Sequence, residues 1–150
     1  MLKTVTFSPA QTRKFGEVLA KQILKTKPKK KTFIIGLIGD LGGGKTTFLQ
    51  GFAKGLGIRE RILSPTFLIL KKFKIPNKKI IHWFYHIDCC RIKNPKEILA
   101  LGFKEIVKDS QNIVAIEWAD RIQKILPKDT LILEFKFFDR NKRKIEMFST

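Results

Sequence analysis

A chain of 150 residues with 43% hydrophobic side chains is long enough to build one core and too apolar to stay unfolded. Lys and Arg total 31 against 13 Asp and Glu, a net charge of +18 that favours polyanionic partners, and no apolar run is long enough to cross a bilayer. The two cysteines, Cys89 and Cys90, are adjacent, which excludes a disulfide framework and a paired zinc ribbon and favours a reducing compartment.

In chain order, "TVTF" (Thr4–Phe7) alternates and predicts a short strand. Ser8 follows as a helix N-cap, with Pro9 at the first helical position and Gln11 at the third to complete a capping box. The helix "PAQTRKFGEVLAKQILK" is expected to turn Phe15, Val18, Leu19 and Ile23 to the core. "TKPKKK" is a charged loop. "TFIIGLIG" (Thr32–Gly39) is almost continuously apolar, the pattern of a strand covered on both faces. A glycine-rich turn comes next, then a helix from about Lys45 through "TTFLQGFAKGL" that ends around Gly55–Gly57.

"ILSPTFLILKKFKI" predicts a loop around Ser64 and Pro65 and then a strand. "PNKK" is a turn, and "IIHWFYHID" the returning strand of an antiparallel hairpin. Asn94, Pro95 and Glu97 repeat the capping pattern for a helix over "PKEILAL" that stops at Gly102. "FKEIVKD" is helical, "NIVAIEW" an apolar strand, and "TLILEFKFFDRNKRKIEMF" two strands joined at "DRNKR". No repeat, low-complexity tract or linker divides the chain, so one domain over 1–150 is expected. The start, "MLKTVTFSPAQ", has no apolar signal region, and the cytoplasm is the expected compartment.

The run "GDLGGGKTTF" is costly, because glycine loses more backbone freedom on ordering than any other residue. Its spacing is G-x-x-x-x-G-K-T on Gly39, Gly44, Lys45 and Thr46, after a buried strand and at the start of a helix. A compact loop over Asp40, Leu41, Gly42 and Gly43 aims backbone N–H groups inward as an anion nest. The helix N-terminus, at Lys45, Thr46 and Thr47, adds its positive dipole end. Lys45 brings a point charge to the β- and γ-phosphates, and the Thr46 hydroxyl suits Mg²⁺. The pattern therefore reads as a cradle for a nucleoside triphosphate with Mg²⁺.

Such a cradle needs carboxylates. Glu117 ends the apolar strand of "NIVAIEWADR", and the C-terminal ends of parallel strands face the ligand crevice. It is a candidate to bind Mg²⁺ or to polarise the attacking water. Asp88 stands in the same relation to "YHID", with a loop-capping role as the plainer reading. Thr66 in "SPTF" is a weaker candidate, as a γ-phosphate sensor. Trp118, beside Glu117, suits a base or a core. His82, His86 and Cys90 share a strand face and look like metal ligands, but four-residue steps span about 13 Å, too far for one ion. They are expected as buried or half-buried strand residues.

In order, "GDLGGGKTT" (Gly39–Thr47), "SPTF" (Ser64–Phe67), "YHIDCCR" (Tyr85–Arg91) and "IEWADR" (Ile116–Arg121) make the chain resemble the TsaE (YjeE) family of small bacterial P-loop ATPases over nearly its whole length. The resemblance implies an α/β fold, a P-loop NTPase-like three-layer sandwich with a mostly parallel central sheet and antiparallel hairpins. It implies a part in making threonylcarbamoyladenosine at position 37 of tRNAs that read codons starting with A. TsaB and TsaD are the implied partners, TsaD transferring the group while ATP hydrolysis supports turnover, and tRNA is met through the complex. By match to the family pattern, Thr46 and Glu117 serve Mg²⁺ with Asp88 nearby, and Trp118 follows the metal acid. Arg143 in the C-terminal hairpin approaches the nucleotide, and Ser8 borders the base. The family's alanine in the P-loop, its Leu-Tyr after H-x-D and its proline after the tryptophan are here Gly43, Cys89-Cys90 and Ala119.

Two other readings stand beside this one. A small-molecule P-loop kinase shares the size and the motif, but it needs an arginine-bearing lid, and the charged loops here are mostly lysine. An RNA-binding module driven by net charge leaves the glycine run unexplained.

Overall fold

A computed structural model describes residues 1–26, 30–40, 44–63, 68–76 and 78–150. These residues form one seven-stranded sheet in the order β1-β7-β6-β2-β5-β4-β3. The strands are β1 (Leu2–Thr6), β2 (Phe33–Gly39), β3 (Leu70–Lys74), β4 (Trp83–Asp88), β5 (Asn112–Glu117), β6 (Leu131–Phe137) and β7 (Arg143–Ser149). The middle of the sheet, β6-β2-β5-β4, is parallel. Antiparallel hairpins flank it, β6 with β7 on one side and β3 with β4 on the other, and β1 closes the edge against β7.

The apolar runs explain this order. In β2 and β5 successive side chains point to opposite faces, and both faces are buried. Ile35, Leu37, Ile113, Ala115, Leu133 and Phe135 face helices α1 (Pro9–Thr26) and α2 (Lys45–Gly55). Ile34, Val114 and Ile116 face the opposite layer, built on α3 (Lys96–Leu99), α4 (Phe103–Ile106) and a 3₁₀ segment, Ala119–Ile125. Phe48 stacks on Phe52, tilts against Phe15 and meets Phe135 edge-on in the first layer. Each buried phenyl contributes about 1.5–3 kcal/mol.

Both capping boxes form, each with a variation. Ser8 Oγ accepts the Gln11 N–H at 3.1 Å, while the Gln11 side chain reaches one residue further back, to the Phe7 N–H at 2.8 Å. Asn94 Oδ1 accepts from Lys96 N, and Glu97 accepts from both Lys93 and Asn94 N–H groups.

The buried face of α1 differs from the expected one. Thr12, Gly16, Ala20 and Ile23 are buried, Phe15 and Leu19 are partly so, and Val18 is 52% exposed. The cause is a close crossing with α2. A Cβ on Gly16 would collide with the Phe48 carbonyl oxygen, one on Gly51 with that of Arg13, and one on Gly55 with that of Glu17. Small residues let two backbones meet, and the larger apolar side chains flank the contact.

Among the described residues no helix is long and apolar enough to cross a membrane.

Candidate functional site

β2 ends at Gly39, whose φ is 118°, and a Cβ there would run into the Phe135 carbonyl oxygen of β6. Glycine is required at this point both by its torsion and by the neighbouring strand. The Asp40 carboxylate accepts the Phe137 N–H at 3.2 Å, which ties the turn to the same strand. Gly44, at φ 101°, sets the start of α2, and the first helical bond runs from Phe48 N to Gly44 O at 2.8 Å. The N–H groups of Lys45, Thr46 and Thr47 precede that bond and have no carbonyl within the helix to take them. Leu41, Gly42, Gly43 and Thr66 lie outside the described residues.

Lys45 is 6% exposed. Its ammonium donates to the carbonyls of Gly39 at 2.9 Å and Asp40 at 2.8 Å, and lies 4.6 Å from the centre of the Trp118 ring. Burial pulls its pKa below the ordinary lysine value, and the charges of Glu117, Asp40, Asp120 and Cys90 oppose that pull.

The parallel pairing of β4 with β5 sets Asp88 directly opposite Glu117, and His86 opposite Ala115. Both carboxylates therefore stand at strand C-termini beside the start of α2. Glu117 is 3% exposed. Its Oε1 accepts the Thr46 hydroxyl at 3.1 Å, and its Oε2 lies 2.7 Å from His86 Nε2. Asp88 Oδ1 accepts the Cys90 N–H at 2.9 Å. After Glu117 the chain turns through Trp118 in the left-handed region, φ 56° and ψ 44°. A bulky residue rarely adopts that conformation, and such positions concentrate at functional sites.

These residues wall a cavity of about 260 Å³. Gly44, Lys45, Thr46, Thr47, Asp88, Glu117, Trp118 and Arg143 all line it. The Arg143 guanidinium donates to the carbonyls of Asp139 and Lys142, each at 3.0 Å, which holds it in the hairpin turn. Gly39, Asp40 and Ser8 do not line the cavity. The first two meet it through the carbonyls that hold Lys45, and Ser8 caps α1 while its neighbour Pro9 forms part of the wall.

Pro9, Thr12, Cys90, Arg140 and Asn141 are lining residues that sequence reasoning did not assign to the site. Pro9, Thr12, Arg140 and Asn141 come from the start of α1 and a hairpin turn with no site motif of their own, whereas Cys90 follows the end of β4 inside the segment that carries Asp88. Among the described residues no three His, Cys, Asp or Glu side chains converge to hold a metal, and His86 is turned to Glu117 instead. A wider cavity, about 1290 Å³, lies at the other end of α2 beside Lys54, Arg59, Arg61, Lys74 and Lys78 and contains none of the expected site residues.

Residues 6–145 match the family model of the threonylcarbamoyl adenosine biosynthesis protein TsaE. The tRNA threonylcarbamoyladenosine biosynthesis protein TsaE of Rickettsia typhi is 37% identical over 137 residues, covering 91% of this chain and 87% of the relative. The Bacillus subtilis protein of the same name is 35% identical over 144 residues, 96% of this chain and 83% of its own. The crystal structure of Bacillus subtilis YdiB superposes with a TM-score of 0.71 at 30% identity, covering 99% of this chain and 84% of that one. The chain belongs to the TsaE family.

Proposed function

We propose that this chain, acting as one P-loop unit over residues 1–150, binds and hydrolyses ATP in the synthesis of tRNA threonylcarbamoyladenosine in the cytoplasm. The observation that carries the reading is the convergence of Lys45, Thr46, Asp88 and Glu117 on one cavity at the N-terminus of α2. The amides of the first helical turn, which have no carbonyl within the helix, receive phosphate oxygens, and the helix dipole favours their negative charge. Lys45 exchanges its carbonyl partners for the β- and γ-phosphates. Arg140 and Arg143 line the same cavity, Arg143 beside Gly44, and add positive charge for the phosphates.

Thr46 Oγ, Glu117 and Asp88 form an all-oxygen donor set, the kind Mg²⁺ takes alongside phosphates and water. When bound, the ion neutralises charge on the phosphates. Glu117 orients the attacking water through its carboxylate. The water oxygen bonds to the γ-phosphorus, the bond to the β-bridging oxygen breaks, and ADP and phosphate leave. The chain works with TsaB and TsaD partners, TsaD transferring the threonylcarbamoyl group, and meets tRNA through that assembly.

ATP hydrolysis is measured with magnesium for the chain alone and with TsaB and TsaD added. The rate rises with the partners. Lys45→Ala weakens nucleotide binding by about 10- to 100-fold, as expected from losing a charge-assisted hydrogen bond of about 1.5–3 kcal/mol. A parent rate indifferent to the partners removes the assembly from the reading, and unchanged affinity in Lys45→Ala removes the cradle.

A further inference from the structure

His86 is 1% exposed and is not among the cavity's lining residues, yet it lies 2.7 Å from one oxygen of the carboxylate that is. The H-x-D spacing explains how. Period-two alternation on β4 puts His86 and Asp88 on one sheet face. The register with β5 sets Asp88 opposite Glu117 and leaves His86 diagonal to it, one step deeper. Asp88 thus reaches the cavity directly, and His86 reaches it through Glu117.

We propose that His86 is a positioning residue, whose imidazole anchors Glu117 Oε2 so that Oε1 stays beside Thr46 at the cavity wall. The inference rests on the proposed nucleotide site. A carboxylate in its ordinary ionised form only accepts, so in this pairing the imidazole is assigned the tautomer that donates from Nε2. A buried carboxylate needs such donors, and Glu117 has one on each oxygen, Thr46 on Oε1 and His86 on Oε2. The two differ in kind. Thr46 is a cavity residue whose hydroxyl the proposed metal claims, whereas His86 is enclosed and remains a fixed partner throughout. A free glutamate side chain spreads over several rotamers, and restraining it costs entropy. The imidazole confines it in advance. Partners of this type typically govern 10–100-fold in metal affinity or activity.

The test replaces His86 with Leu, which fills similar space without a donor, and with Gln, whose amide nitrogen reaches the place of Nε2. Binding of a fluorescent ATP analogue is titrated in EDTA and again in magnesium, and hydrolysis is followed in parallel. In His86→Leu, affinity in EDTA stays within about twofold of the parent, because Lys45 and the helix amides set it. The gain in affinity on adding magnesium, and the turnover number, each fall by about 10-fold or more. His86→Gln recovers most of both. A merely structural role would lower EDTA affinity in step with thermal stability. Should His86→Leu not fold, His86→Asn takes its place, polar but too short to reach Glu117.

A parent-like magnesium gain and turnover in His86→Leu overturns the inference. So does a Gln variant no better than Leu, or a parallel loss of EDTA affinity. A parent chain that binds no nucleotide overturns the proposed function, and the inference with it.

Discussion

Cys89 and Cys90 are neighbours in the chain and opposites in environment. Cys89 is fully buried beneath the sheet, and its thiol pKa is pushed up to about 12, first by burial and then by the charges of Asp88 and Asp120. Cys90 is exposed and lines the cavity. Only the thiolate attacks an alkylating agent, so at neutral and mildly alkaline pH Cys89 stays in its unreactive form. Iodoacetamide at pH 8 should therefore modify Cys90 and spare Cys89, with both modified after denaturation. Magnesium with a non-hydrolysable ATP analogue should slow the Cys90 reaction several-fold. Peptide mass spectrometry reads both results, and native labelling of Cys89 would refute the burial argument. At this scale the candidate carboxylates were legible, because Asp88 and Glu117 each end an apolar run and such ends cluster in a parallel sheet. The partner of Glu117 was not. His86 meets it across two strands 31 residues apart, and that neighbourhood exists only once β4 is known to lie beside β5.

Among the elements, the crossing of α1 with α2 carries the firmest expectation. Gly51 touches the Arg13 backbone, so an added Cβ meets carbonyl oxygen rather than a side chain that can swing away. Overpacking of this sort costs about 1–3 kcal/mol, and a backbone clash belongs at the top of that range. Helix propensity returns about 1 kcal/mol for Gly→Ala, leaving Gly51→Ala less stable by about 2 kcal/mol. Val18→Ala, on the exposed side of α1, should change stability by less than about 0.5 kcal/mol. Urea denaturation of both variants checks this, and a larger loss for Val18→Ala would restore the periodic reading of the helix. That reading went astray for a physical reason. Periodicity locates large apolar residues, whereas this interface is made by their absence at Gly16, Ala20, Gly51 and Gly55. Element type was easier to read than element face. The apolar runs of β2 and β5, the two capping boxes, the strand end at Gly39 and the helix start at Lys45 each have a local cause and fell within a residue or two of where the chain places them.

For the molecule as a whole, five separate parts of the chain wall the cavity among the described residues. They are the start of α1, the start of α2, the ends of β4 and β5, and the turn between β6 and β7. Those parts belong to both edges of the parallel core, so a ligand that touches all of them links the sheet to the helix layer. Anything that binds the folded chain and not the unfolded one stabilises it by RT ln(1 + [L]/Kd), about 2.7 kcal/mol at a concentration of 100 Kd. For a chain of this length each kcal/mol moves the melting temperature by about 2–4 °C, so a non-hydrolysable ATP analogue with magnesium should raise it by about 5–10 °C. Lys45→Ala, binding about 10- to 100-fold more weakly, should lose about half to most of that rise at the same concentration. Arg140→Ala removes one cation from the cavity lining and should lose less, about 0.5 kcal/mol's worth, because its side chain is exposed and screened. The two variants separate a gathered site from a general attraction between a polyanion and a chain of net charge +18. If charge alone drove binding, the two substitutions, each deleting one positive charge, would cost the same, and raising the salt concentration would erase the shift in all three proteins. A shift that depends far more on Lys45 than on Arg140, and that survives moderate salt, requires the enclosed geometry around α2.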